Sequence, residues 1–433
     1  MTLVSLANLG LWFCIIVLAI YTLRHYFFTL NRLFGRHRQP FVDIMQADWP
    51  SLIVFVPAHN ESRVVRDSMD ALLTCDYPLD RLRIVPIDDR SEDDTRAILL
   101  EYAANYPDLI LPFLRDGGTP GKAAALEEAM AKHQGEIHLV FDADYIPGQR
   151  LLKQLVSPFF DPEVGAVMGR VVPLNVGLSL LTRMLDLERA GGYQVDQQAR
   201  MNLRLVPQYG GTVGGVRRAA LEHVGGWRTD SLAEDTDLTV RLVMNGWDVV
   251  YQNRSECYEE VPETWESRIR QIKRWAKGHN QALRRYVFQL IRNRRALPTV
   301  QIVDGVLMLG VFMVPIVLMI GWMCTITLFY VGYPPAWGRV TVLAIASFNT
   351  VGNFAAFFQV AAASRLDGSR ERIRMLPFLF LGFLVSTFAV GRAALSRASW
   401  LRGQPMQWQK TERHRAVRSN GGKGTGSAPG ASA

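Results

Sequence analysis

The chain has 433 residues, 49% of them hydrophobic, and a formal charge of +8. Lysine and arginine concentrate at 24–38, 268–295, 365–374 and beyond Arg392, each time beside an apolar segment. The charge therefore reads as membrane-surface charge, and no zinc-finger, helix-turn-helix or RNA-binding signature points to a nucleic-acid partner.

In chain order, residues 2–23 carry no charge, about 20 residues being enough to cross a bilayer. The segment has no basic start and no small-residue cleavage site, so an uncleaved anchor is expected. Arg24, Arg32, Arg36 and Arg38 follow it, which places the next part of the chain in the cytoplasm. Cys14, Cys75, Cys257 and Cys324 lack CxxC spacing, so neither a zinc site nor a disulfide framework is expected, in keeping with a reducing cytosol.

From about Trp49 to Leu290 short apolar runs alternate with amphipathic ones. "SLIVFVPAHNES", "LRIVPIDDRSEDDT", "LILPFLRD" and "EIHLVFDAD" read as strands; "SRVVRDSMDALLTCDYP", "TRAILLEYAANYP" and "GKAAALEEAMAKHQG", the last ended by Gly135, read as helices. This alternation predicts a mostly parallel sheet covered by helices, and such sheets bind ligands outside the carboxyl ends of their strands. Polar residues gather at those ends: Asn60 and Glu61, Asp88 and Asp89, Asp142 and Asp144.

In an extended chain, residues two apart share a side, so Asp142 and Asp144 would converge. Two carboxylates so close repel unless a cation lies nearby, and a hard ion such as Mg2+ or Mn2+ suits oxygen ligands. The structural alternative is an acidic turn capping the next helix. "GGTPGKAAAL" is one residue short of a Walker A loop and has Ala123 where Ser or Thr is needed, although Lys122 could still meet a phosphate or a base. Asp235 opens an amphipathic helix, as a cap or as a group able to take a proton from a hydroxyl. Gln271, Arg274 and Trp275 share a helical face; Arg suits a diphosphate and Trp the apolar face of a sugar, while a basic interfacial helix is the plainer reading.

Further apolar segments span 306–330 and 340–363, joined by "VGYPPAWGR" and followed by a basic loop expected to be cytoplasmic. A fourth run, 375–390, is short; it spans with a tilt, re-enters or lies in the interface, and a cytoplasmic tail is the favoured outcome. Asn349, Asn353 and Gln359 are polar groups in an apolar segment, expected to bond neighbouring helices or to face a passing polar chain. The Gly/Ser/Ala-rich end reads as disordered.

Taken together, "VPAHNES", "IDDRSEDDT", "GKAAAL", "FDADYIP", "YGGTVGGVRRAALEHVGGW", "AEDTDLTVRL" and "QIKRW", in this order over about residues 51–281, resemble the membrane-embedded family 2 glycosyltransferases, the group of cellulose, chitin, hyaluronan and poly-N-acetylglucosamine synthases. The resemblance implies an α/β fold: a cytoplasmic GT-A domain with a mostly parallel nucleotide-sugar-binding sheet and helices on both faces, plus transmembrane α-helices. It implies a donor site of Pro57, Asn60, Glu61, Asp88, Asp89, Lys122, Asp142 and Arg274, with Mg2+ or Mn2+ on Asp142 and Asp144. Asp235 matches the general base, and Glu234, Gln271, Trp275, Gly211 and Thr212 match the acceptor side. His59 stands where Tyr is frequent and Ala233 where Thr is; neither change removes a reacting group.

The expected division is an anchor and basic stretch (1–38), a GT-A domain (39–281), a basic interfacial helix (282–304), membrane segments (305–392) and a basic, then disordered tail (393–433). The function implied is inverting transfer from a nucleotide-sugar, with UDP-sugar expected, to a growing β-linked polysaccharide at the inner or plasma membrane. The alternative is addition of one or a few sugars to a lipid such as diacylglycerol or a polyprenyl phosphate. Three or four membrane segments are fewer than synthases with clear secretion channels have, which leaves room for an export or oligomeric partner. A catalytically dead scaffold is disfavoured by the intact acids.

Overall fold

The computed structural model describes residues 2–38, 48–294, 297–331 and 354–395. Helix α1 (Leu3–Phe34) comes first, followed by β1 (Leu52–Ala58), α2 (Val65–Leu73), β2 (Leu82–Asp89), α3 (Thr95–Asn105), β3 (Phe113–Arg115), α4 (Lys122–Lys132), β4 (Ile137–Val140), β5 (Ile146–Pro147) and α5 (Leu151–Val156). Then come β6 (Val164–Pro173), α6 (Leu180–Ala190), a π-helical turn (Gly191–Gln197), α7 (Gln198–Asn202), β7 (Gly214–Arg217), α8 (Arg218–His223), α9 (Glu234–Met244), β8 (Asp248–Glu259) and α10 (Trp265–Arg292). Helices α11 (Thr299–Leu309), α12 (Val314–Tyr330), α13 (Phe354–Leu366) and α14 (Leu379–Leu395) complete the described chain.

The strands form one sheet in the order β3-β2-β1-β4-β7-β6-β8-β5. The pairs β1/β2, β1/β4, β2/β3 and β6/β8 are parallel; β7 runs against both β4 and β6, and β5 against β8, so the sheet is mixed. Successive strand residues point to opposite faces. Val54, Phe55 and Val56 on β1 and Ile84 and Val85 on β2 are all fully buried, so both faces are covered. That is why these strands are continuous apolar runs rather than alternating ones.

Two expected elements differ in detail. Helix α4 ends at Lys132, before Gly135, because His133 is already extended. Strand β4 stops at Val140 beside Phe55, so Asp142 and Asp144 do not share the side of an extended strand; they sit on a turn closed by the Tyr145 N–H on the Asp142 carbonyl, 3.1 Å. Turn geometry, not the pleat, sets where their carboxylates point.

Among the described residues three helices are long and apolar enough to cross a membrane: Leu3–Phe34, Val311–Tyr330 and Glu371–Arg392. The second begins at Val311 rather than at 306, since α11 takes residues up to Leu309 and closes at Gly310. The last reaches 22 residues because a 3-10 turn (Arg370–Phe378) extends the short apolar run at its start. Of the 340–363 segment only the part from Phe354 is described; Asn349, Asn353, the link at 332–339 and the tail beyond 395 lie outside the described residues. Gln359 donates to the Gly191 carbonyl, 2.9 Å, and pairs with His25, as expected of a residue tying helices together.

Helix α10 joins the two parts. Its Ile272 and Ala276 pack on Ala389 and Val390 of α14, and it runs unbroken through residue 281. A buried ion network fixes α1 to the sheet-bearing part: Arg24 reaches Asp196 (3.0 Å) and Asp304 (3.4 Å), and Arg200 reaches Asp196 (2.9 Å) and Asp304 (2.6 Å).

Candidate active site

The carboxyl ends of β1, β2 and β4 meet the loop before β7 and the start of α9 at one rim of the sheet. Adjacent residues on a strand point apart, and Asp88 and Asp89 obey this. Asp88 is fully buried with Oδ2 2.7 Å from Arg96 Nε. Asp89 faces the loop ahead of α4: its Oδ1 takes Arg115 Nη1 (2.6 Å) and Arg90 Nε (3.0 Å), and its Oδ2 accepts from the Gly121 N–H (3.1 Å). Asn60, at φ 57, clamps the β1 and β2 loops: its Oδ1 accepts from the Glu92 N–H (2.7 Å) and its N–H donates to Ser91 Oγ (3.0 Å). The Glu61 N–H donates to Thr95 Oγ1 (2.8 Å), and Pro57 stands in β1 opposite Ile87.

Lys122, the first residue of α4, crosses to the next loop. Its Nζ lies 2.5 Å from Asp142 Oδ1 and 2.8 Å from the Gly211 carbonyl. The Asp142 N–H donates to Thr212 Oγ1, 3.1 Å. Burial alone would make the Lys122 ammonium easier to deprotonate, but Asp142, Glu234 and Asp235 face it and push its pKa up. Burial, then the Asp235 carboxylate, raise Glu234 to about 7, with Lys122 and Arg274 pulling the other way. Lys122, Asp142, Gly211, Thr212, Glu234, Asp235 and Arg274 thus form one electrostatic neighbourhood.

Asp235 is held firmly at one oxygen. Its Oδ1 accepts the Thr236 N–H (2.6 Å) and lies 3.3 Å from the Thr236 hydroxyl. Its other oxygen faces Gly211, which sits at φ +73; a Cβ there would lie 3.2 Å from Asp235 Cβ and 3.5 Å from Oδ2. Position 211 therefore combines a left-handed backbone with close approach to Asp235. Gly211→Val is expected to cost about 1–3 kcal/mol and to crowd that oxygen. Thermal melting checks this, and a wild-type melting temperature would contradict it. Ala233, in place of the frequent Thr, has a local reason: α10 crosses it at Gly278, where an added Cβ would come within 2.7 Å of the Ala233 Cβ.

Trp275 stands one turn before His279 on α10. Arg189 lies over its ring at 5.5 Å and Arg268 at 5.3 Å. Arg268 also donates to Gln271 Oε1 (2.7 Å) and Glu188 (2.5 Å), while Arg189 pairs with Glu259 (2.7 Å), which takes the Tyr145 hydroxyl at 2.6 Å. These bonds connect the turn bearing Asp144, only 2% exposed, to the Trp275 platform.

Among the described residues no group of three or more His, Cys, Asp or Glu could hold a metal ion. Asp142 and Asp144 nevertheless offer hard oxygen donors on one turn, a partial set of the kind that phosphate oxygens and water complete around Mg2+ or Mn2+. Sequence reasoning missed Gln208, Thr236, His279, Arg115, Arg189 and Glu259. Only His279 carried a signal, four residues from Trp275 and so on the same helical face.

The fold is similar to that of the mannosyltransferase PcManGT from Pyrobaculum calidifontis, solved in complex with GDP-Man and Mn2+: TM-score 0.61, 22% identity, 84% of this chain and 98% of that one covered. The architecture is GT-A-like. Residues 50–278, more than half of the chain, match the family model "Glycosyltransferase like family 2", and the chain belongs to that family. Among curated relatives, the probable glycosyltransferase YdaM of Bacillus subtilis (strain 168) is 31% identical over 63% of this chain and 64% of its own length. The beta-monoglucosyldiacylglycerol synthase of Synechocystis sp. (strain ATCC 27184 / PCC 6803 / Kazusa) is 34% identical over 54% of this chain and 49% of its own. The chain thus spans about half to two thirds of the length of the curated relatives it matches.

Proposed function

We propose that the protein is an inverting glycosyltransferase, moving a sugar from a nucleotide-sugar to a hydroxyl acceptor at the cytoplasmic face of a membrane. The observation that carries this reading is the clustering of Asp235 with the Lys122–Asp142 pair, Glu234 and Arg274 at one rim of the sheet. In this reading Asp89 and Arg115 bound the nucleoside end of the donor pocket, while Lys122 and Arg274 meet the diphosphate. Asp142 and Asp144 would hold Mg2+ or Mn2+, which when bound supplies charge to neutralise the departing diphosphate. Asp235 accepts the proton of the attacking hydroxyl through its oxygen on the Gly211 side. Attack from the face opposite the leaving group gives a β product from an α-linked donor. Trp275 offers the acceptor sugar an apolar face.

In this reading the chain divides into an anchor, a catalytic domain and membrane segments, while the stretch expected as one interfacial helix, 282–304, is shared between the end of α10 and the start of α11. The three apolar helices, together with α10 packed on α14, support a multi-pass membrane enzyme whose acceptor arrives at the bilayer. A growing β-linked polysaccharide is the first reading of the acceptor, from the "QIKRW" stretch. A membrane lipid is the second, favoured by the relative named a beta-monoglucosyldiacylglycerol synthase.

The deciding experiment supplies UDP-glucose, UDP-N-acetylglucosamine and GDP-mannose, radiolabelled, to purified membranes and sizes the product. A long ladder supports the polymer, and a single chloroform-extractable species supports the lipid. Transfer with none of the three, in membranes where the protein is folded, counts against the proposal. EDTA is expected to stop transfer and added Mn2+ or Mg2+ to restore it; full activity in EDTA would remove the metal role.

A further inference from the structure

We infer that Gln208 is a positioning residue that fixes which oxygen of Asp235 is free to take a proton; this rests on the reading of Asp235 as the base. Gln208 is itself fixed. Its N–H donates to Gln197 Oε1 and its carbonyl accepts from Gln197 Nε2, both at 3.0 Å. Its side-chain Nε2 lies 2.8 Å from Thr236 Oγ1 and 3.4 Å from His279 Nε2. The following residue is stitched to α9 as well, the Tyr209 N–H donating to Thr239 Oγ1 at 3.1 Å.

The direction of each bond follows from the donor inventory. His279 Nδ1 lies 3.2 Å from the Trp275 carbonyl, which can only accept, so that nitrogen carries the proton. In the neutral ring Nε2 is then an acceptor. Burial favours the neutral ring, lowering its pKa against the pull of Asp235, the carboxylate that faces it, and Phe312 packs edge-on against the ring at 4.9 Å. An acceptor at Nε2 demands the NH2 end of Gln208, since the flipped amide would set lone pair against lone pair. The same NH2 donates to Thr236 Oγ1. The Thr236 hydroxyl proton is thereby turned toward Asp235 Oδ1, which also receives the Thr236 N–H. Oδ1 is thus occupied by two donors, and the oxygen on the Gly211 side is left to react. Donation runs outward from the Gln208 amide in both directions, through His279 to the Trp275 carbonyl and through Thr236 to Asp235. It ties the position of α10 to the orientation of the proposed base.

The test uses the full chain in nanodiscs, with whichever of UDP-glucose, UDP-N-acetylglucosamine and GDP-mannose the membrane assay shows to be turned over. Gln208→Met keeps the length and removes the donor. It is expected to lower kcat by about 10–100-fold, with donor KM and melting temperature little changed. Gln208→Glu is expected to be worse, because its carboxylate draws the Thr236 hydroxyl proton away from Asp235. Thr236→Val should fall as far as Gln208→Met, the double variant no further than either alone, and Thr236→Ser should recover most of the turnover lost in Thr236→Val. Wild-type kcat in Gln208→Met, or losses that multiply in the double variant, overturns the inference. If Asp235→Asn is inactive while Gln208→Met is not, only this inference fails; if Asp235→Asn retains transfer, the base assignment fails and this inference with it.

Discussion

Asp235→Asn is expected to lower sugar transfer by about 10²–10⁴-fold, the usual worth of a general base, while the protein stays folded. Asn keeps the shape and still accepts the Thr236 N–H at Oδ1, so the start of α9 has no reason to unravel. What it cannot do is take a proton. The acid cluster gives a second readout. Asp235 helps to raise Glu234 to about 7, after burial and against Lys122 and Arg274. Removing its charge should let Glu234 ionise more readily, an effect opposite in sign to a loss of acidity across the site. Titration of Glu234 in the variant, by carboxyl-labelled NMR or infrared difference spectroscopy, checks this independently of activity. If Glu234→Gln abolishes transfer and Asp235→Asn does not, the roles of the two acids are reversed.

Asp304→Asn is expected to destabilise the protein by about 3–5 kcal/mol, the usual result of breaking a buried ion pair from one side. Asp304 is buried on α11 and faces two guanidiniums, Arg200 at 2.6 Å and Arg24 at 3.4 Å. Its loss leaves Asp196 as the carboxylate shared by the two arginines. Burial would hinder ionisation of Asp196, but Arg24 and Arg200 hold its carboxyl well below the ordinary range. Phe28 cannot compensate, although Arg24 lies over its ring at 4.3 Å. Because Asp196 adjoins Gln197, whose side chain holds the backbone of Gln208, a loosened network should also reduce turnover before global unfolding. Thermal unfolding in nanodiscs, with transfer followed on the same samples, measures both effects. A variant with unchanged melting would show that the network is not what holds α1 to the rest.

Much of the fold was legible because its signals are local. The first three parallel strands fell where continuous apolar runs ended in acids, and helices α2 and α3 where the amphipathic spacing put them. Antiparallel β7 was not legible, since nothing in "GGVR" says which strands it will separate. The pleat argument for Asp142 and Asp144 failed because β4 closes two residues too early and a turn follows. The opposite fates of Asp88 and Asp89 could have been read from alternation alone, since neighbours on a buried strand cannot face the same side.

The sequence by itself determined that the chain would alternate strands and helices, that apolar helices would flank them, and that acids would stand at strand ends, because each of these follows from the pattern of a few adjacent residues. Only the tertiary structure decided which of those groups meet. Lys122 reaches a carbonyl 89 residues away, Asp142 a hydroxyl 70 residues away, and Gln208 a histidine 71 residues away. Such partners are chosen by the order of strands in the sheet and by the path of α10 across α9, and no local spacing records either.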